Sequence, residues 1–113
     1  MGYNSSIYGE IKGLSEDSFE LIKEELEAIF DIVFWENGKL SLEGYGKHYN
    51  EVMFPVYNKI AFCIDEDPGG KLNEDGDEEF DFSTIFFRPM QWKQVWVKVN
   101  FPENPFKRFE GAL

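Results

Sequence analysis

Only one cysteine and one histidine occur among the 113 residues, Cys63 and His48. An internal disulfide is excluded, and no thiolate or imidazole set exists for a structural zinc site. No apolar run approaches the ~18 residues that a membrane-spanning helix needs. The start, Met1-Gly2-Tyr3-Asn4-Ser5-Ser6, has neither the basic stretch nor the apolar core of a signal peptide. These absences predict a cytoplasmic protein in a reducing compartment, without a membrane segment. Basic residues are scarce as well: Lys and Arg number 11 against 22 Asp and Glu, a formal net charge of −11. A field of that sign repels phosphate backbones and anionic headgroups, so direct binding to nucleic acid or to a membrane surface is not expected. There is no G-x-S-x-G elbow, P-loop, G-x-G-x-x-G or H-E-x-x-H in the chain. The reading is therefore non-enzymatic, with no catalytic residues, no cofactor and no bound metal.

What is present is enough for a core. Hydrophobic residues make up 42% of the chain and aromatics 18%, with 12 Phe. A chain of this length should bury roughly two thirds of its unfolded surface. Residues 1–105 are expected to form one α+β domain, with 106–113 as a tail that frays beyond Pro102 and Pro105.

Tyr3 to Lys12 alternates weakly, with Ile7 and Ile11 on one side, and reads as a first strand closed by Gly13. Ser15 then offers a cap, and Glu16, Asp17 and Glu20 favour a helix N-terminus. Phe19, Ile22, Leu26, Ile29 and Phe30 share about a third of the circumference at 100° per residue, so a helix is expected from Glu16 to Asp31. Ile32–Trp35 and Lys39–Leu42 flank Glu36-Asn37-Gly38, whose Asn-Gly suits a type I′ hairpin turn. Pro55 makes Lys47 to Asn58 a short helical turn or an irregular crossover. Lys59 to Ile64 shows Ile60, Phe62 and Ile64 at period two, and Phe80–Phe87 and Trp92–Phe101 read as two further strands around Arg88-Pro89-Met90-Gln91. The expected fold is a single twisted, mainly antiparallel sheet of five or six strands with one long amphipathic helix after the first strand. One helix is too narrow for such a sheet, so another element or a partner must cover the remainder. On the last strand Val95, Val97, Val99 and Phe101 are expected to face inward. Trp92 and Trp96 would then lie on the less covered face, under the 47–58 segment or in a partner or homodimer interface.

The negative charge is concentrated in two blocks, net −6 over residues 16–31 and net −8 over 65–82, whereas 83–113 is net +3. Glu16, Glu20, Glu24, Glu27 and Asp31 recur at helical spacing, within about 80° of one another. Like charges at these spacings weaken an isolated helix, so local stability does not explain the ridge. Its five charges span ~22 Å, along which a DNA strand would present six or seven phosphates at ~3.4 Å each. Two readings stand: a solvated helix face, or a row that occupies a basic nucleic-acid groove on another protein.

In size, net charge, this ridge and the cluster from Asp65 to Asp81, the chain resembles the acidic DNA-mimic inhibitors of phages and other mobile elements, including anti-restriction and anti-CRISPR proteins. The resemblance implies a non-enzymatic inhibitor that competes with nucleic acid for a basic protein partner such as a nucleic-acid-binding enzyme. The basic final third departs from a uniformly anionic surface. The alternative is an immunity or housekeeping module with a basic protein partner.

The second acidic block invites a cation reading, with Asp65, Asp67, Asp75, Asp77 and Glu79 as candidate oxygen ligands on a loop. Counted from Asp65, the EF-hand pattern fails at Gly69 and Gly76, so a weak Ca²⁺ loop and a mobile acidic connector both stand. Cys63 and His48 could in principle form a nucleophile and base, but Cys63 in an apolar strand reads as an inert buried thiol.

Overall fold

The computed structural model describes residues 4–76 and 82–96. Six strands and two helices follow in the order β1 (Ser5–Ile11), α1 (Glu16–Ile29), β2 (Ile32–Glu36), β3 (Lys39–Gly46), α2 (Asn50–Cys63), β4 (Gly70–Gly76), β5 (Phe82–Arg88) and β6 (Gln91–Trp96). The strands form one sheet in the order β2-β3-β1-β4-β5-β6, antiparallel at every junction. The α+β class and the antiparallel sheet match the sequence expectation. The single long helix does not: the described residues hold two helices of 14 residues each.

Helix α1 forms where its local signals lie. The Ser15 side chain accepts from the Ser18 backbone N–H at 3.2 Å, and Glu16 and Asp17 occupy the first turn. Phe19, Ile22 and Leu26 are buried. The helix stops at Ile29, so Asp31 lies beyond it. The β2–β3 hairpin turns through Asn37 (φ 51°) and Gly38 (φ 83°), both left-handed as a type I′ turn requires.

Of the short helical turn and the irregular crossover expected at 47–58, the chain takes the helical form, and α2 continues it through 59–63 in place of the strand expected at 59–64. Pro55 stands inside it and removes one ladder hydrogen bond, and the N-cap Tyr49 gives no side-chain cap. Packing compensates for these local deficits: Met53, Val56, Tyr57, Ile60 and Ala61 recur at helical spacing and are buried. The period-two signal was misleading, because Phe62 is 70% exposed on the opposite side of the helix.

Strand β4 lies inside the block expected as an acidic connector. Its only buried apolar residue is Leu72. It is a strand because β1 and β5 offer backbone ladders on both of its sides. The inner sheet face carries Ile7, Ile11, Leu40, Leu42, Leu72, Ile85 and Phe87, all buried with residues from α1 and α2. The opposite face has neither helix on it.

The facing of β6 is the reverse of the expectation. Trp92 pairs with Phe87 in register and shares its inner face, whereas Val95 pairs with Thr84 on the outer face and is 42% exposed. Two turn residues, Pro89 and Met90, fix this parity, and the Met90 N–H is held by Ala61 O at 2.9 Å. Val97, Val99 and Phe101, like the expected tail 106–113, fall outside the described residues.

Candidate interaction site

Four of the five expected ridge residues, Glu16, Glu20, Glu24 and Glu27, stand exposed on α1. None of them forms an ion pair among the described residues. Lys23, the only cation of the helix, sits with its Nζ 6.0 Å from the Phe19 ring centroid. Glu25 points elsewhere and pairs with Lys59 of α2 at 2.5 Å. No basic residue occupies the last turn, so Glu24 and Glu27 also face the negative end of the helix dipole. Asp31 has a different environment: its carboxylate accepts the Tyr45 backbone N–H at 3.0 Å, tying the α1–β2 link to β3.

The two tryptophans are not brought to this ridge. Helix α1 contacts β2 at one edge of the sheet, and α2 contacts β5 and β6 at the other. Trp92 is half-buried, its Nε1 donating to Asn58 Oδ1 at 2.6 Å and its ring 5.1 Å from Tyr57 and 5.0 Å from Phe54. It anchors β6 to α2. Trp96 is more exposed and borders a cavity of about 350 Å³ beside His48, Tyr49 and Glu74.

The candidate cation ligands are spread along β4. Asp65 and Asp67 precede it, and Asp67 pairs with Arg88 at 2.6 Å. Asp75 is near its far end and accepts from the Tyr8 hydroxyl at 3.1 Å. Six strand residues separate the groups by ~20 Å. Asp77 and Glu79 lie outside the described residues. Among the described residues no group of three or more His, Cys, Asp or Glu could hold a metal ion. Cys63 and His48 sit at opposite ends of α2, ~20 Å apart, so they form no dyad. Burial pushes the Cys63 thiol pKa up.

One polar cluster escaped the sequence reading. Glu74 alternates with Leu72 on β4 and therefore enters the inner face. Its carboxylate accepts from Ser5 Oγ at 2.8 Å, Gln94 Nε2 at 3.1 Å and Ser83 Oγ at 3.5 Å. Ser5 and Ser83 are both buried. Ser5 Oγ also lies 2.8 Å from His48 Nδ1. A hydroxyl has one proton, and the carboxylate takes it, so His48 Nδ1–H donates to Ser5; the tautomer follows from this network. The order is His to Ser to Glu, with the buried serine in the middle, at the wall of the cavity that Trp96 borders. That arrangement ties β1, β4, β5, β6 and the entry to α2 together, and it differs from a Ser-His-acid triad in that the serine donates to the carboxylate and accepts from the histidine. Burial lowers the His48 pKa, outweighing the opposing pull of Glu74 and then Asp31. Burial also raises the Tyr57 pKa, and Glu74 adds to that effect.

No described helix is long and apolar enough to cross a membrane. No protein-family model, curated protein or solved structure matches the chain.

Proposed function

We propose that this protein is a non-enzymatic interaction protein that lays the carboxylate row of α1 on a basic, nucleic-acid-binding surface of a target protein and thereby inhibits it. One observation carries the reading: Glu16, Glu20, Glu24 and Glu27 are exposed and without an ion pair among the described residues. A helix that keeps four like charges unneutralised is weakened by each adjacent pair. A cationic partner would convert that repulsion into attraction and accelerate encounter at low salt. The apolar side of α1 is held by the core, so the row is presented on a fixed scaffold. The partner class is a nucleic-acid-binding enzyme or regulator, and the action is competition with its DNA or RNA.

The test uses the immobilised full chain to capture basic nucleic-acid-binding proteins, followed by elution with short duplex DNA at constant ionic strength. The expected result is release by DNA, and loss of capture for the triple variant Glu20→Lys, Glu24→Lys, Glu27→Lys with unchanged circular dichroism. Capture that resists DNA overturns mimicry and leaves an ordinary module for a basic protein. Capture unaffected by the triple variant reduces the row to a solvated face.

A further inference from the structure

The sheet face opposite the helices exposes Tyr8, Ile32, Phe34, Phe82, Phe86 and Val95, each at least 37% accessible. Scattered apolar residues on a surface are ordinary, but six on one sheet face that no described element covers form an interaction surface. Their distribution and the charges between them identify what fits.

Register places the outward residues in rows across the sheet. One row reads Phe34, Ser41, Glu10, Lys71, Phe86, Lys93, and the next reads Ile32, Glu43, Tyr8, Asn73, Thr84, Val95. The half built from β2, β3 and β1 carries Glu10, Glu36 and Glu43 against Lys39. The half built from β4, β5 and β6 carries Lys71 and Lys93 against Asp75, with Arg88 neutralised by Asp67. The face is therefore acidic on one side of its midline and basic on the other, and the midline runs between Glu10 and Lys71. A partner of one charge sign matches half of it and is repelled by the rest. A second copy turned over it sets Glu10 against Lys71 on both sides of the midline, with Lys39 opposite an Arg88 already paired with Asp67.

We infer that this face is the interface of a homodimer of two sheets stacked face to face, with the two-fold axis running parallel to the strands between β1 and β4. That rotation lays the rows on themselves in reverse order. Glu10 then faces the second copy's Lys71, Ile32 faces its Val95, Tyr8 its Asn73, and Phe34 its Lys93 in cation–π geometry. Stacked sheets adopt an angle of about −30°, which displaces the outer strands most and the axis-proximal pair of Glu10 and Lys71 least. The existing Lys39–Glu10 contact at 3.6 Å is half-exposed and gives way readily. Lys71 and Lys93 have no ion pair among the described residues.

Six strands at ~4.8 Å and about six residues at ~3.4 Å give a face of roughly 29 by 20 Å. That is somewhat below the ~800 Å² per partner of a standard interface, which places the dimer in the weak, transient class. The chains carry −11 each. At 0.15 M salt the Debye length is ~8 Å, so facing pairs attract while remote charges are screened. Both copies of α1 point away from the interface, and the dimer is independent of the function proposed above.

Sedimentation equilibrium of the full chain at 0.15 M salt, from about 5 to 500 µM, tests this. The wild type should reach twice the monomer mass at the upper end. Glu10→Lys places lysine over Lys71, and Lys71→Glu places glutamate over Glu10, so each variant alone should dissociate at least ~10-fold more readily. An equimolar mixture of the two should restore a dimer, because each then faces its opposite. If either fails to fold by circular dichroism, Glu10→Gln and Lys71→Gln give the same loss at smaller amplitude. A wild type that stays monomeric throughout overturns the inference. So do single variants that dimerise like wild type, or a mixture that remains monomeric beside a dimeric wild type.

Discussion

The Ser5 hydroxyl donates to Glu74 at 2.8 Å across the β1–β4 junction, and this bond decides which nitrogen of His48 carries the proton. It joins residues 69 positions apart, on the two strands that complete the centre of the sheet. Removing the hydroxyl strands the His48 Nδ1–H and takes the donor from Glu74 Oε2, while Gln94 and Ser83 still serve Oε1. Ser5→Ala should cost about 2 kcal/mol, which lowers Tm by roughly 10 °C in a domain of this size. Differential scanning fluorimetry is sufficient, and an unchanged Tm would mean that water replaces the hydroxyl without penalty.

Stability should fall with mild acid through His48. Burial holds its pKa below the ordinary value of 6.5, so the unfolded chain takes up the proton first as pH drops. The contribution is complete above about pH 6.5 and is lost as pH falls through the lower folded value. Thermal scans at pH 7.5 and pH 5.5 should show a larger drop in Tm for wild type than for His48→Gln. Equal drops in the two proteins would assign the acid sensitivity to other groups.

Gly70 opens β4 at φ 102°, and a Cβ there would run into the Glu10 carbonyl of β1. Gly70→Ala therefore combines a left-handed backbone cost of 1–2 kcal/mol with loss of close strand pairing, a total of about 3 kcal/mol. Urea unfolding should show a lower midpoint at an unchanged slope. A shift below ~1 kcal/mol would mean that β1 and β4 separate without consequence.

Glu24 lies between Glu20 and Glu27 on the exposed row. Glu24→Lys turns two like-charge neighbours into opposite ones and sets a cation towards the C-terminal half of α1. The variant should be more stable by ~0.5 to 1 kcal/mol in thermal or chemical denaturation, while binding its basic partner less tightly. A variant that gains stability and keeps full binding separates the row from recognition.

Wherever sequence neighbours supplied the whole signal, the fold was legible in advance. Ser15 with Phe19, Ile22 and Leu26 defines α1 within one segment, and Asn37-Gly38 defines the hairpin by its own backbone geometry. The exposed row on α1 follows from the same periodicity. Helix α2 was hidden because Pro55 and an uncapped Tyr49 argue locally against it, and only the buried contacts of Tyr57 and Ile60 offset them. The parity of β6 was hidden because valine and tryptophan alternate with equal plausibility. It was settled by the turn at Pro89-Met90 and by the aromatic pocket that α2 offers Trp92.

The chain alone therefore determined its net charge, the α+β class, helix α1, the first hairpin and the row of glutamates, since each depends on residues within a turn or two of one another. Tertiary structure decided that the acid-rich segment around Leu72 becomes a central strand, that Glu74 meets Ser5 and Gln94 and through Ser5 is linked to His48, and that no described element covers one sheet face, whose charges divide at the midline. Backbone ladders and side-chain networks between distant segments carry no local signature: their energy exists only once the partner strand has arrived.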